Sequence, residues 1–409
     1  MTEEPLAPEL PLLTLREGLP GVVDTPEALA RSVAALASGA GPIAIDAERA
    51  SGYRYSPRAY LIQLRRAGSG THLVDPAALS DLSGLAEVLA EEEWILHAAT
   101  QDLPCLREVG LEPPSLFDTE LAARLLGYPR VGLATLVEEI CGYRMRKEHS
   151  AADWSTRPLP DSWVEYAALD VEVLDEIRDR LWTELGESGK AEWAQQEFAH
   201  LLTFRPLVRQ EPWRRTSSLH QVRGRRGLAA VRELWVARDQ IARDQDVSPS
   251  RLIPDSAIVA AARAMPTGRR ALLETPGFQG RGAGRYSATW IAALDAARAL
   301  PEQDLPTHTL RTDAPPPPRV WADKDPIAAE RFAASRTAII DLSEQLSVPV
   351  ENLMTPDTVR RILWRPPQVE SADMAAAVRI ALASMHARPW QIGLVGEILI
   401  QVITQIPGD

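Results

Sequence analysis

The sequence predicts an α/β domain followed by two all-helical domains. In the first half of the 409 residues, short apolar runs alternate with longer helical patterns, which is the order expected of helices packed on a sheet. Beyond about residue 205 the strand-like runs disappear, and amphipathic helical patterns take their place. The proline-rich stretch 301–326, which includes Pro315–Pro318, divides the helical part in two and favours a stiff spacer.

The first half is expected to begin with three antiparallel strands. Turn residues separate these strands at Ser56-Pro57 and at Gly68-Ser69-Gly70. Strands are predicted at 42–47, 59–66, 70–74 and 94–97. Helices are predicted at 26–38, 79–91, 102–109, 119–126, 133–141, 162–185 and 188–201.

Two carboxylates stand at the tip of the first predicted strand. Asp46 and Glu48 follow the apolar run 41–45, and residues two apart on a strand point to the same face. Adjacent carboxylates repel each other unless a cation or a proton neutralises them. A single Asp-x-Glu pair is also typical of the end of a surface strand, so further residues are needed to indicate a site.

Three further residues extend this acidic pair. Asp102 follows the predicted strand 94–97 and begins a helical pattern. Tyr166 and Asp170 lie four residues apart, on one face of the predicted helix 162–185. Four carboxylates and a phenol suit two hard divalent cations bound through oxygen, with the phenol placed to act on a water.

The acids occur in a fixed order with characteristic neighbours. The segments concerned are Ile45–Arg49, Tyr60–Leu64, His97–Leu103, Phe117–Ala123, Gly132–Val137, Asp153–Leu159 and Tyr166–Val171. This pattern resembles ribonuclease D, within the tyrosine branch of the DEDD superfamily of 3′→5′ exonucleases, over roughly residues 25–205. There are departures: Ala47 and Arg49 stand where the family usually has Thr and Phe, and Trp163 stands where Gln is common. The acids themselves are intact.

The resemblance implies a ribonuclease-H-like exonuclease domain followed by an HRDC domain, a helical module. Residues 247–255 are echoed at 348–357 with one insertion, so a second, HRDC-like helical domain is expected. An unrelated helical bundle is the alternative for this last part. The predicted divisions are an N-terminal extension at 1–24, the exonuclease domain at 25–205, the HRDC domain at 218–300, the linker at 301–326 and the HRDC-like domain at 327–409.

By this resemblance the protein is an enzyme that removes nucleotides from RNA 3′ ends by two-metal hydrolysis and releases 5′-monophosphates. The implied substrates are tRNA precursors, and the implied cofactors are two divalent cations, Mg²⁺ or Mn²⁺. Asp46, Glu48, Asp102 and Asp170 are the expected metal ligands, and Tyr166 is the expected water-orienting residue. Two alternatives stay open: a 3′→5′ DNA exonuclease, and a catalytically idle RNA-binding or interaction protein.

Other polar residues are candidates for substrate contact, each with a structural alternative. Gln63 is a candidate for contact with the nucleotide or for closing a turn. His97, at the start of the segment that contains Asp102, is a candidate for substrate contact or a structural histidine. Lys147 and Arg157 are candidates for RNA phosphates or for ordinary surface positions. Arg225 and Arg226 lie in the basic segment 205–300. They are candidates for contact with RNA phosphates, and the alternative is a solvated basic face without a ligand. Asp118 is expected to cap the helix that begins at about residue 119.

Charge is unevenly distributed along this acidic chain. The net charge is −12, yet residues 205–300 carry 17 arginines and 8 acidic residues, a net of +9. The basic segment is therefore the candidate RNA-binding part. The acidic start lacks the features of a signal peptide, and Cys105 and Cys141 indicate a reducing compartment, so we expect a cytoplasmic protein without membrane contact. We also expect a monomer.

Overall fold

A mixed six-stranded sheet forms the centre of the first domain. The computed structural model describes residues 10–146, 149, 151–308 and 313–408. Within these residues the strands are β1 (Val22–Val23), β2 (Ala40–Arg49), β3 (Ala59–Ala67), β4 (Gly70–Val74), β5 (Glu93–Leu96) and β6 (Ser115–Asp118). The spatial order is β1-β4-β3-β2-β5-β6. The predicted antiparallel start is confirmed, because β2, β3 and β4 pair antiparallel in sequence.

The parallel part of the sheet brings two chain segments to one edge. Strand β2 pairs parallel with β5, and β5 pairs parallel with β6. The carboxyl ends of these neighbouring strands therefore meet at the same edge, where polar side chains leave the core. Buried apolar residues of β2 and β5 anchor this edge, among them Ile43, Ile45 and Ile95.

Helices cover both faces of the sheet. They are α1 (Pro26–Ser38), α2 (Ser83–Leu89), α3 (Leu103–Glu108), α4 (Thr119–Leu126), α5 (Leu133–Leu136), α6 (Asp161–Val171), α7 (Leu174–Glu187) and α8 (Ala191–Leu202). Helix α6 contacts β2, β3 and β4, and its buried residues Val164, Ala167 and Ala168 pack in a core cluster with Leu61 of β3. This packing fixes the helix across the strand that ends in Asp46 and Glu48.

The described residues after the first domain contain helices and no strand. The first helical domain contains α9 (Arg225–Gln245), α10 (Pro249–Leu252), α11 (Asp255–Ala264), α12 (Gly268–Glu274), α13 (Arg281–Arg285) and α14 (Ser287–Ala299). The second contains α15 (Trp321–Lys324), α16 (Pro326–Leu346), α17 (Val350–Leu353), α18 (Pro356–Trp364), α19 (Met374–Ser384), α20 (Pro389–Gln391) and α21 (Glu397–Gln405). The fold class predicted from the sequence is confirmed.

The sequence echo corresponds to a repeated local structure. Helices α9 and α16 are each 21 residues long, and each is followed by a residue in the left-handed region, Asp246 at φ 45° and Ser347 at φ 52°. A four-residue helix comes next in both copies, α10 and α17, and then a longer helix, α11 and α18. The second helical domain is therefore built on the same opening unit as the first.

Both copies use this turn to contact the first domain. In the first copy, Asp246 accepts hydrogen bonds from the backbone of the β2–β3 loop. In the second, the carbonyl of Leu346 accepts a 2.7 Å hydrogen bond from Lys190 Nζ, and a Cβ added at Gly127 would lie 2.4 Å from the carbonyl oxygen of Ser347. The repeated turn is thus a docking element in each domain.

The second helical domain shares a hydrophobic core with the exonuclease-like domain. Trp193 of α8 stacks on Trp390 with ring centroids 4.9 Å apart, and Glu197 accepts hydrogen bonds from Arg388 Nε and Trp390 Nε1.

Among the described residues, no helix is long and apolar enough to cross a lipid bilayer.

Several elements differ from the sequence prediction. The predicted helix 162–185 is interrupted between α6 and α7, where the buried Glu172 accepts the backbone N–H of Arg16 and lies 3.4 Å from Arg65. Strand β6 is only four residues long, and β1 only two, so neither shows a readable alternation. Trp321, inside the predicted linker 301–326, is buried against Phe332 and Trp364.

Candidate active site

Three carboxylates converge where β2 ends beneath α6. Asp46 and Glu48 leave β2 on one face, and Asp170 lies near the end of α6. One oxygen from each of these three side chains lies within 4.8 Å of the others. Glu48 is buried, with 9% of its surface exposed, whereas Asp46 and Asp170 are half-buried. The predicted grouping of these acids is therefore present in the structure.

Asp102 reaches the same edge from the turn after β5. It precedes α3 without capping it through its side chain, and it is 4% exposed. Its oxygens stand outside the 4.8 Å group, but the charge of Asp46 contributes to raising its pKa, so the two carboxylates are electrostatic neighbours. The turn that carries Asp102 includes Ala98, whose φ of 58° lies in the left-handed region that non-glycine residues seldom adopt.

Asp118 holds this turn in place. As predicted, it caps α4 by accepting the backbone N–H of Leu121. Its two carboxylate oxygens also accept the N–H groups of Ala98 and Ala99, at 3.2 and 2.8 Å. Burial raises the pKa of Asp118 to about 6, although the three N–H groups oppose that rise. Sequence analysis missed this second contact, because only pairing of β5 with β6 brings Asp118 beside residues 98 and 99.

Tyr166 stands beside the acidic group. It lies one helical turn before Asp170 on the same face of α6, so the two side chains are electrostatic neighbours. The ring lies 6.4 Å from that of Trp154, which is fully buried. Burial first, and then the negative charges of Asp170, Glu48 and Asp46, raise the pKa of Tyr166 well above its usual range. The phenol is therefore a hydrogen-bond donor at neutral pH.

The electrostatics of the acidic group are unfavourable without a counter-charge. Burial raises the pKa of all four carboxyls, and mutual repulsion adds to this effect at Glu48, Asp102 and Asp170. The pKa of Glu48 is raised to about 10. Closely spaced buried carboxylates of this kind are neutralised by protons or by cations. The all-oxygen donor set and the 4.8 Å spacing fit a hard divalent cation such as Mg²⁺ or Mn²⁺.

Gln63 and His97 lie in different surroundings. Gln63 pairs directly with Asp46 across β2 and β3, so both side chains share one face of the sheet. It is fully buried, and neither amide atom has a hydrogen-bond partner among the described residues. The ring of His97 instead bonds Thr119 Oγ1 at 2.9 Å, and burial lowers its pKa to about 4. His97 is therefore neutral and already hydrogen-bonded, whereas Gln63 has free amide groups.

The predicted phosphate contacts are placed differently. Arg157 donates to both oxygens of Asp75 and to the backbone carbonyls of Tyr60, Trp154 and Thr156. A phosphate contact by Arg157 would require one of these bonds to break. Lys147 lies outside the described residues.

Arg225 and Arg226 support the first helical domain. Arg225 donates to the carbonyls of Leu305 and Pro306, and Arg226 to those at the end of α14, including Ala297 at 3.0 Å. Both are partly buried and far along the chain from the acids. Their predicted contact with RNA stays a prediction.

The β2–β3 loop, residues 50–58, links the acidic group to the first helical domain. Asp246 Oδ1 accepts the N–H groups of Tyr55 and Ser56 at 3.2 and 3.0 Å, and the backbone N–H of Ser248 donates to Tyr53. On its other side the loop contacts the segment before α6, through Arg54 Nε and Ser155 Oγ at 2.8 Å. One loop thus connects the helical domain to β2, which carries Asp46 and Glu48, and to the segment that precedes α6, which carries Asp170.

Asp246→Ala is expected to loosen this loop. The substitution removes two hydrogen bonds to a carboxylate, so we expect trypsin to cleave after Arg54 or Arg58 about 10-fold faster. Mass spectrometry of a timed digest measures the rate. Asp244→Ala is the matched control, since Asp244 lies two residues earlier in the last turn of α9 and accepts a hydrogen bond from Gln240 within that helix. Equal rates for both variants and the parent chain would show that Asp246 does not hold the loop.

Comparison with known families agrees with this arrangement. A family model described as a 3′-5′ exonuclease matches residues 20–186, and an HRDC domain model matches residues 227–294. A third model, described as a 3′ to 5′ exonuclease C-terminal domain, matches residues 314–403. The three matches fall on the α/β domain and the two helical domains in that order.

The chain is similar to individual relatives over most of its length. It is 31% identical to ribonuclease D of Escherichia coli (strain K12) over 328 residues, covering 78% of this chain and 84% of that protein. It is 33% identical to ribonuclease D of Granulibacter bethesdensis over 273 residues, covering 64% of this chain and 68% of that protein.

Solved structures show the same architecture. A protein from Bifidobacterium adolescentis matches with a TM-score of 0.86 at 37% identity, covering 97% of this chain and all of that one. Escherichia coli RNase D, described as an exoribonuclease involved in structured RNA processing, matches with a TM-score of 0.67 at 28% identity over 95% of this chain and 99% of that one. The catalytic core of RRP6 from Trypanosoma brucei matches with a TM-score of 0.62 at 27% identity over 72% of this chain and 84% of that one.

Proposed function

Because the chain belongs to the ribonuclease D family and is a 3′→5′ exoribonuclease, we propose that it works by divalent-metal-dependent hydrolysis at Asp46, Glu48, Asp102 and Asp170. The observation that carries this proposal is the group of three carboxylates with oxygens within 4.8 Å of one another. Two bound Mg²⁺ or Mn²⁺ ions would supply the positive charge that activates a water and stabilises the leaving oxygen.

The protein's own residues have distinct parts in this proposal. Asp46 and Glu48, held on adjacent same-face positions of β2, offer oxygens to the cations from the sheet. Asp170 offers one from α6, and Asp102 one from the turn held by Asp118. Tyr166 stays protonated and orients the attacking water through its hydroxyl, which a raised pKa favours over proton abstraction.

The substrates proposed for this activity are RNAs with a free 3′ end, of the tRNA-precursor class, with 5′-monophosphates as products. The test is product mapping on a tRNA with an extended 3′ end, in Mg²⁺, in Mn²⁺ and with a chelator. We expect stepwise shortening from the 3′ end, release of nucleoside 5′-monophosphates, and no cleavage with the chelator. Matched RNA and DNA oligonucleotides separate this proposal from a DNA exonuclease, and internal cleavage or metal-independent activity would contradict it.

The basic first helical domain is proposed to hold the RNA body. Exposed Arg223 and Arg263 border a cleft of about 730 Å³, which Arg226 also lines. Each single-strand phosphate that they neutralise adds about 0.7 to the slope of log K against log salt.

A double variant tests this part of the proposal. We expect Arg223→Gln with Arg263→Gln to weaken tRNA binding at low salt, to lower the salt slope and to leave cleavage of short oligonucleotides unchanged. Fluorescence anisotropy at several salt concentrations provides the measurement. The control is Arg31→Gln with Arg336→Gln, which removes the same charge from exposed positions on α1 and α16. Equal salt slopes in both double variants would remove the cleft from the RNA path.

A further inference from the structure

Arg49 is a cation placed against the acidic group, at a position where the family resemblance leads one to expect an aromatic residue. It is the last residue of β2, directly after Glu48. Regular pleating would send Arg49 to the face opposite Glu48. The end of its long side chain nevertheless reaches Asp102.

A register shift lies next to this position. Glu48 pairs with Leu61 of β3, but Arg49 pairs with Ala59, so one residue of β3 is skipped. Irregularities of this kind bend the strand that carries the extra residue, and they are common beside active sites. At this irregular strand end, Arg49 Nη2 lies 3.8 Å from Asp102 Oδ1.

The guanidinium is only weakly engaged in this position. The 3.8 Å ion pair is too long for a hydrogen bond, and Arg49 makes no other hydrogen bond or ion pair among the described residues. About a third of its side chain, 31%, is exposed to solvent. Its charge nevertheless opposes the rise in pKa that burial causes at Asp46, Glu48 and Asp102, so the guanidinium acts on three of the four carboxyls and not on one partner.

We propose that Arg49 binds the phosphate of the RNA 3′ nucleotide, and that it pairs with Asp102 when no cation is bound. This inference rests on the proposed metal-dependent hydrolysis. Cations bound to the carboxylates would neutralise Asp102 in place of Arg49. They would also repel the positive guanidinium. An exposed, unbonded guanidinium beside the reacting phosphate is suited to bidentate contact with its oxygens.

The proposal makes opposite predictions for two ligands. Removing the Arg49 charge removes a competitor of the metal, so Mn²⁺ alone should bind more tightly. It also removes a hydrogen-bond donor to the phosphate. Adenosine 5′-monophosphate should therefore bind less tightly, by about 10-fold or more for a lost charged hydrogen bond. A residue that only screens the carboxylates would give the first effect without the second.

The test uses the full chain and calorimetric titration. Arg49→Gln is compared with Arg49→Lys, which keeps the charge without the planar fork, and with the control Arg31→Gln on exposed α1. We expect Arg49→Gln to bind Mn²⁺ more tightly and, with Mn²⁺ present, to bind adenosine 5′-monophosphate about 10-fold more weakly, while its weak affinity for uncharged adenosine is unchanged. Arg49→Lys should lie between Arg49→Gln and the parent chain.

Two results would overturn the inference. Unchanged adenosine 5′-monophosphate affinity in Arg49→Gln would place Arg49 off the phosphate, and unchanged Mn²⁺ affinity would refute its pairing with Asp102. Thermal unfolding of both Arg49 variants verifies that they are folded. Failure of the proposed function itself is distinguishable, because then the parent chain would neither bind Mn²⁺ nor shorten RNA in its presence.

Discussion

Asp46→Asn is expected to abolish RNA cleavage while leaving the fold intact. Asp46 offers one of the oxygens of the 4.8 Å group, and a neutral amide cannot replace the anionic oxygen that would hold a cation there. Loss of several kcal/mol of transition-state stabilisation corresponds to a fall in kcat on the order of 10³-fold or more. Single-turnover cleavage of an RNA oligonucleotide measures the fall, and calorimetric titration with Mn²⁺ should show weakened binding.

The same substitution should stabilise the metal-free protein. Asp46 raises the pKa of Glu48, Asp102 and Asp170 by repulsion, so removing its charge relieves unfavourable interactions with three neighbours. We expect a higher Tm than that of the parent chain in a chelator. Asp161→Asn, at the exposed start of α6, is the control and should change neither activity nor Tm appreciably. Near-normal cleavage and Mn²⁺ affinity in Asp46→Asn would remove the proposed site.

The sign of the pH dependence follows from the raised pKa values. A carboxyl whose pKa is raised on folding binds more protons in the folded state, so its contribution favours folding at low pH and is lost as pH rises. For Glu48 this interval runs from the ordinary pKa of 4.5 to about 10. In a chelator, the parent chain should therefore lose stability with rising pH more steeply than Asp46→Asn does.

Much of the site could be predicted because local sequence carries it. Asp46 and Glu48 follow an apolar strand, and their two-residue spacing alone places them on one face. Tyr166 and Asp170 share a helical face for the same kind of reason. Asp102 could be placed at the same edge because the strand before it pairs parallel with β2, as the α/β order implies.

Other parts depend on contacts that sequence spacing does not determine. Arg49 Nη2 lies 3.8 Å from Asp102 Oδ1, a contact between the end of β2 and the turn after β5 that no residue pattern in β2 indicates. Asp118 reaches Ala98 and Ala99 only because β5 and β6 are neighbours. Asp246 meets the loop at Tyr55 across 191 residues of chain, a contact set by how the helical domain docks.

Tyr166→Phe is expected to slow turnover strongly and to leave binding almost unchanged. In the proposed mechanism the hydroxyl touches the attacking water, whereas the ring packs near Trp154 and keeps its place in the variant. Because the lost interaction is made in the transition state, kcat should fall on the order of 10²-fold or more while KM changes little. Steady-state kinetics on an RNA oligonucleotide separates kcat from KM, and Mn²⁺ titration should match that of the parent chain.

Tyr128→Phe is the matched control, since it removes the same hydroxyl at a position away from the acidic group, where Tyr128 donates to Glu184 Oε2 at 2.9 Å. It should lose some stability and keep its kcat. A fall in kcat that occurs only in Tyr166→Phe is then due to the position of that hydroxyl, and not to the loss of a tyrosine hydroxyl in general. A preserved kcat in Tyr166→Phe would mean that the hydroxyl has no part in turnover and that the residue serves through the packing of its ring. A raised KM with constant kcat would mean that the hydroxyl binds RNA in the ground state and does not orient the water.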